Sequence, residues 1–564
     1  MNPFNSARRD LLRVGSLGMA GAALPALASA AGKDKTPAAA PIVFNVRQFG
    51  AVGDGKTLDT DAVNRAIAAA TAAGGGTVLF PAGIYLCFSI HLQNYVHLYL
   101  DAGATVLAAE SPKPGETTGY NGGTYDAAEP NTAWDAYQDY GHNHWHNSLI
   151  WAEDMHDFSI TGPGLIYGKG LSFGAGPGRG QQAGLRGFGM ERPAGAPPPP
   201  ATPPNPARMA RGDYPMYQAE QPGVGNKAIA LKNCRNVLLR DFSILKGGHF
   251  ALLLTGVDNL TIDNLTIDTD RDGMDIDCCR NVRVSNCFVN APWDDGICPK
   301  SSFALGYARP TEKVTIANCY VSGCWQLGTL LDGTYKRQQT GGGRIKCGTE
   351  SNGGFINIAI SNCIFEGTQG LALETVDGAL LEDITVSNIT MRDITSCPIF
   401  LRLGARLRGP ADSTKVGTLR RVLISNLNCS NSGARFGSIL SGIPGYFIED
   451  VKLDNIYVQN AGGGAPESVN ARPAENETKY PEPGMFGITP AHGFYLRHIK
   501  NIELSHVEVH PAAPDPRPSF YLDDVHRADF IAVTAPTTPP AFSINRSTDV
   551  RILISRAAPD SITP

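Results

Sequence analysis

Charge is scarce in this 564-residue chain: Asp, Glu, Lys and Arg make up 18% of it, and the formal net charge is only -5. A nucleic-acid-binding surface leaves a strongly basic footprint, so that class of partner is excluded. Long apolar runs are also missing. The apolar stretch from about Val14 to Leu27 is rich in Gly and Ala and falls short of the ~20 residues a spanning helix needs. No later segment does better, so no membrane span is expected. Zinc-type cysteine spacing is absent too: among twelve cysteines, Cys278 and Cys279 are adjacent rather than two apart. No zinc site is expected from the cysteines.

What the chain does have begins with an address. Arg8-Arg9 precedes the apolar stretch, and Ala28-Ser29-Ala30 follows it as a small-residue cleavage site. The segment Ser6-Ala7-Arg8-Arg9-Asp10-Leu11-Leu12 resembles a twin-arginine export signal; an ordinary secretion signal is the other reading. Either one places the mature chain in the periplasm or outside the cell. Residues 1–30 are thus read as the signal, 31–41 as a linker, 42–555 as the body and 556–564 as a tail.

A repeat organises the body. Alternating apolar residues recur at Val237, Leu260, Val282, Val314, Ile358, Ile384, Val422, Val451 and Ile502, mostly beside an Asn or Asp. Alternation at period two marks strands with one buried face. The first two gaps are 23 and 22 residues, and the later ones are 32, 44, 26, 38, 29 and 51. A base period near 22 with variable insertions describes stacked coils whose insertions emerge as surface loops. An antiparallel sandwich would instead show turns every 8–12 residues. The expected fold is therefore all-β: a single-stranded, right-handed parallel β-helix. A short capping helix is expected after Asp59-Thr60-Asp61, apolar at Val63, Ala66, Ile67 and Ala70, with Asp59 or Thr60 as its N-cap and Gly74-Gly75-Gly76 as its end. Cys287, Cys319 and Cys363 each follow an Asn in the repeat and read as stacked core residues. Two Gly/Pro-rich inserts, at about 168–226 and 462–494, read as long loops walling a cleft.

Carboxylates mark the chemistry. Asp272 lies ten residues after Ile262, and Asp294 lies ten after Val284 with Asp295 beside it. On coils ~4.8 Å apart these three would cluster on one face. Crowded carboxylates raise one another's pKa, and a raised pKa suits a general acid. His142, His144 and His146 lack an acidic fourth ligand at fixed spacing and are read as structural.

Asp270-Arg271-Asp272-Gly273-Met274-Asp275, Asp294-Asp295 and Arg344-Ile345-Lys346 resemble, in that order, motifs of glycoside hydrolase family 28, the polygalacturonase family. The stretches Gly348–Phe355, Leu373–Gly378, Tyr480–Pro483 and Gly493–His498 resemble a bacterial branch of it. The family pattern runs Asn-Thr-Asp, Asp-Asp, Gly-His-Gly, Arg-Ile-Lys. The resemblance implies hydrolysis of galacturonosidic bonds in a pectic polysaccharide, with inversion and no cofactor. It assigns Asp294 as general acid, Asp272 and Asp295 as bases for the attacking water, and Arg344 and Lys346 as binders of the uronate carboxylate. The Gly-His-Gly motif is missing. Gln326, ten residues after Ile316, is expected at the histidine's position, and Gln cannot shuttle a proton. His249 and Lys300 are further candidates for substrate contact, with Glu350, Glu374 and Arg402 behind them. A Ca²⁺-dependent pectic lyase and a non-catalytic carbohydrate-binding β-helix are the competing functions.

Overall fold

Alternation along each strand sets the architecture. In Phe355–Glu366 and Leu380–Arg392 buried and exposed side chains take turns, as one-sided burial requires. The apolar row then stacks coil on coil. Val237 pairs with Leu260, Leu260 with Val282, Val282 with Val314 and Val314 with Ile358. The row continues through Ile384, Val422, Val451 and Ile502. All these side chains are buried, and each contributes about 1.5–3 kcal/mol relative to exposure. The residues picked out by spacing are thus the rungs of one ladder. Insertions leave between rungs without shifting the register.

The computed structural model describes residues 42–564, apart from 114, 140, 173–220, 328, 335, 340, 341 and 434. The expected signal and linker, and most of the 168–226 insert, lie outside these residues. Among the described residues, 35 strands form one continuous sheet, paired in parallel except where Thr548–Leu553 meets Ser561–Thr563. No described helix is long and apolar enough to cross a membrane.

Turn chemistry explains the recurring Asn. Asn286, Asn318, Asn362, Asn388, Asn426 and Asn455 all adopt positive φ, a conformation Asn tolerates better than most residues. Their side chains form a ladder in which each amide from Asn318 onward donates to the Asn one coil earlier, at 2.8–3.4 Å. All twelve cysteines are buried and none forms a disulfide. The thiols of Cys287, Cys319 and Cys363 donate to the carbonyl two residues earlier, at 3.1–3.3 Å.

The helix α1 (Thr60–Ala72) buries Ala62, Val63, Ala66, Ile67 and Ala70 against the first coils. Its expected cap is different. Asp59 holds the N-cap position but makes no capping bond, because its carboxylate accepts from Val52 N (2.7 Å) and Gly53 N (3.0 Å). Thr60 Oγ1 accepts from Phe88 N instead. Both side chains tie the helix to the solenoid rather than closing its own first turn.

Six strands on successive coils carry the chemistry: β1 (Phe250–Thr255), β2 (Asp272–Asp277), β3 (Ile297–Lys300), β4 (Ile345–Cys347), β5 (Leu371–Thr375) and β6 (Ile399–Leu403). They pair in that order, all parallel. Unlike the ladder strands they are buried on both faces, because loops cover their outer side.

Candidate active site

Register brings the carboxylates together. Met274 of β2 pairs with Ile297 of β3, 23 residues later, whereas the preceding rung Thr266–Phe288 is spaced by 22. Carried back two and three residues, that pairing sets Asp272 opposite Asp295 and Arg271 opposite Asp294. The equal ten-residue offsets had set Asp272 opposite Asp294; one extra residue in the second coil shifts it. Asp272, Asp294 and Asp295 still converge, with one carboxylate oxygen from each within 4.8 Å of the others.

Their surroundings differ sharply. Burial, then the charges of Asp294 and Asp275, hold the Asp272 carboxyl well above the usual range, against the opposing pull of Lys300 and Arg271. Burial also acts on Asp295, but Arg344, Lys346 and Lys300 outweigh it and keep Asp295 well below that range. Arg344 Nε donates to Asp295 Oδ1 at 2.7 Å and Lys346 Nζ lies 3.1 Å from Oδ2. Asp294 is the most open of the three, with about a third of its side chain exposed, and it accepts from Arg271 Nη2 at 2.8 Å. One buried carboxyl is thus set to hold a proton while its neighbour stays ionised. The role of base that the resemblance implies for Asp272 calls on its ionised form, which its surroundings disfavour.

A cation could also satisfy three clustered carboxylates. Here the positive charge is already supplied by side chains, from Arg271 on Asp294 and from Arg344 and Lys346 on Asp295. The donor set therefore suits a proton better than a metal ion.

Other expected residues fall in different places. Gln326 sits on Cys324–Leu327, which pairs antiparallel with Lys336–Gln339 in a ribbon outside the main sheet. It does not occupy a coil position, because the chain leaves the solenoid there and rejoins it at β4. The rung after Asp294-Asp295 is therefore Arg344-Ile345-Lys346 itself. His249 is buried beside Phe250, ring centroids 4.3 Å apart, and burial together with Arg271 keeps its imidazole well below its usual pKa. Lys300 is buried with Nζ 3.2 Å from Glu350 and 3.9 Å from Asp275. Arg402 is held by the next coil and by the insert. It donates to Ser441 Oγ and to the carbonyls of Gly442, Glu475 and Asn476 at 2.9–3.1 Å, and so straps down the 462–494 insert. His146 stacks on Trp151 and pairs with Glu153 at 2.8 Å. Lys232 takes the other Glu153 oxygen at 2.8 Å.

Three residues carry more than their sequence signal indicated. Asp275, buried on β2, accepts from or donates to His142 Nε2 at 3.0 Å. Its place three residues after Asp272 on a strand was the available clue. Glu374 on β5 is fully buried, and neither carboxyl oxygen has a hydrogen-bond partner among the described residues. Burial pushes it up to about 8, with Lys346 pulling against that and Glu482 adding to it. Glu482 comes from the 462–494 insert and meets Arg344 with both oxygens, one of them 2.9 Å from Nη1. No spacing rule links residue 482 to residue 344. A cavity of about 300 Å³ lies elsewhere, lined by His492, Asp515, Arg517 and Ser519 among others, with Asp515 and Arg517 paired to each other at 2.9 Å.

A family described as rhamnogalacturonase A/epimerase, pectate lyase-like, matches residues 43–133, and the right-handed beta helix region matches 227–409. The chain is a right-handed parallel β-helix, and its first coils match the pectate-lyase-like model. Its fold resembles that of a family 28 exopolygalacturonase from Yersinia enterocolitica: TM-score 0.55, 19% identity, covering 90% of this chain and 79% of that one. An identity that low speaks for the fold alone. Relatives by sequence match over short stretches. An exo-poly-alpha-D-galacturonosidase from Dickeya chrysanthemi is 38% identical over 76 residues, 14% of this chain. Alginate lyase 7 from Azotobacter vinelandii is 64% identical over 42 residues, 7% of this chain. The chain spans 12% and 5% of those two relatives. The resemblance to the polygalacturonase family drawn from the motifs stands beside the short match to the Dickeya relative, and the fold neighbour adds a shared architecture.

Proposed function

We propose that this protein is an exported glycoside hydrolase that cleaves galacturonic-acid-containing pectic polysaccharide. One observation carries the reading: within 4.8 Å, Asp272 is set to hold a proton while Asp295 is held ionised by Arg344 and Lys346. Glycosidases need that division, an acid for the leaving oxygen and a base for water. Asp294, the open member, hands the proton to the glycosidic oxygen and Asp272 stores it. Asp295 takes the proton from the attacking water. The resemblance implies inversion. Inverting enzymes commonly hold their carboxyls ~6.5–9.5 Å apart, and the nearest oxygens here are closer, so the anomer of the first product, read by NMR, is the measurement to make. A retained anomer would remove the single-displacement scheme.

The test of the function is a product profile on polygalacturonan and rhamnogalacturonan, with and without chelator. A hydrolase gives saturated sugars and ignores the chelator. Unsaturated products that vanish with chelator would make it a lyase, and no product would leave a binding protein. The 462–494 insert beside the carboxylates favours exo action, since a walled cleft takes chain ends. Viscosity of a pectic polymer should then fall slowly while reducing ends accumulate.

A further inference from the structure

The basic pair expected to receive a uronate carboxylate is already occupied. All three nitrogens of the Arg344 guanidinium are engaged, Nε by Asp295 and Nη1 and Nη2 by the two oxygens of Glu482. Lys346 Nζ lies between the same two acids, 3.1 Å from Asp295 and 3.5 Å from Glu482. Two cations thus face two anions, and both cations are almost wholly buried, with 4% and 3% of their side chains exposed. Glu482 is the open member of the group at 26%. Other described bases on this side of the solenoid have acidic partners too: Arg271 pairs with Asp294, Lys300 with Glu350, Arg406 with Asp377 and Arg408 with Asp139.

Glu482 would be irrelevant to recognition if its segment swung aside for substrate, but the segment is fastened from several directions. Pro481 and Pro483 flank Glu482 and restrict its backbone. Phe486 is buried in an apolar cluster with Phe400 and Tyr495. Arg402 and Arg497 hold the carbonyls of residues 473–476. On the other side, Tyr480 lies within hydrogen-bonding distance, 3.2 Å, of both Asp139 and Thr349. A segment held in this way is a wall.

We propose that Glu482 is a specificity-determining residue that tunes the sugar position beside the aspartates for a unit whose carboxyl is esterified or absent, and against a free uronate. The inference rests on the pectic reading above and deepens it. Among the described residues, a free carboxylate arriving there meets Asp295 and Glu482 with no uncommitted cation, and like-charge juxtaposition disfavours binding. An ester or a hydroxyl brings no charge and needs only hydrogen-bond partners.

NMR-detected titration of the intact protein at neutral pH with galacturonate, its methyl ester and galactose tests this without requiring turnover. The wild type should bind the ester or galactose at least about tenfold more tightly than the free acid, the scale of one unfavourable like-charge contact. Glu482→Gln removes the competing anion and leaves Arg344 and Lys346 with one charge to spare, so its preference should shift toward galacturonate by a similar factor. A wild type that binds free galacturonate as tightly as the ester overturns the inference and leaves the pectic reading standing. So does a folded Glu482→Gln variant with unchanged preference. Failure of the wild type to bind any of the three sugars removes the pectic reading and this inference with it. The wild-type comparison decides even where the variant does not fold.

Discussion

Two faces of one solenoid use the same backbone for opposite ends. On the ladder face, Phe355–Glu366 and its neighbours alternate buried and exposed side chains, and each rung repeats the one before it. On the covered face, β2, β3, β4 and β5 are buried on both sides, and the outward positions carry Asp275, Asp277, Lys300, Lys346 and Glu374. The ladder face gains stability from repetition: apolar rows inside, an Asn ladder at the turn. The covered face gives some of that back, since burying charge is costly unless it is paired. The stack of coils supplies the rigidity that allows the covered face to hold unlike carboxylates in contact.

The largest expected effect lies at the open end of the covered face. Asp294→Asn should lower kcat on a pectic oligosaccharide by about 10²–10⁴-fold, the usual share of general acid–base catalysis. Binding should survive, and substrates with better leaving groups should suffer less. Steady-state rates on the purified variant that match the wild type would reduce Asp294 to a solvated turn residue, and the contrast between the faces would lose its functional meaning.

Next comes the buried charge itself. Arg344→Gln leaves Asp295 and Glu482 short of their main partner, and breaking a buried pair costs about 3–5 kcal/mol. Urea unfolding should register this loss. A loss of under about 1 kcal/mol would mean that the pair behaves like a surface ion pair.

Glu374 sharpens the comparison through pH. Its folded-state carboxyl is pushed up to about 8, by burial first, so the folded chain keeps a proton that the unfolded chain releases near the ordinary Glu value. Its contribution to stability is therefore fully present at low pH and is lost as pH rises toward about 8, by up to about 1.4 kcal/mol per pH unit. Glu374→Gln has no such dependence. Melting temperatures of the two proteins should diverge in favour of the variant between about pH 5 and 8. Parallel curves would show that Glu374 is ionised throughout.

The smallest effect belongs to the ladder face. Asn362→Ala places an ordinary side chain at positive φ and removes the amide that links Asn318 and Asn388. A cost of about 1–2 kcal/mol is expected for the left-handed conformation, with Asn362→Gly recovering part of it and no change in activity from either. A change in kcat here would couple the two faces.

Much of the ladder face was legible in the sequence because its information is local. Alternation fixes which side of a strand is buried, and the Asn beside each apolar run marks the turn. The spacings of 23, 22, 32, 44, 26, 38, 29 and 51 residues named the rungs that pair, since a coil must return to the same register however long its loop. Asp272, Asp294 and Asp295 were legible as a group for the same reason, within a shift of one residue. Gln326 was not, because an offset counted along the chain has meaning only while the chain stays on the solenoid, and the ribbon at Cys324–Leu327 leaves it.

The rest was decided in three dimensions. Which carboxyl keeps its proton depends on neighbours brought in by other coils: Asp275 and Asp294 against Asp272, Arg344 and Lys346 against Asp295. The occupant of Arg344 comes from residue 482, across 138 positions of sequence. Sequence periodicity determined the stack of coils and the row on which the aspartates stand. Charge interactions act through space and grow with burial, so the state of those aspartates and the room left for a sugar's carboxylate were set only when the loops closed over that row.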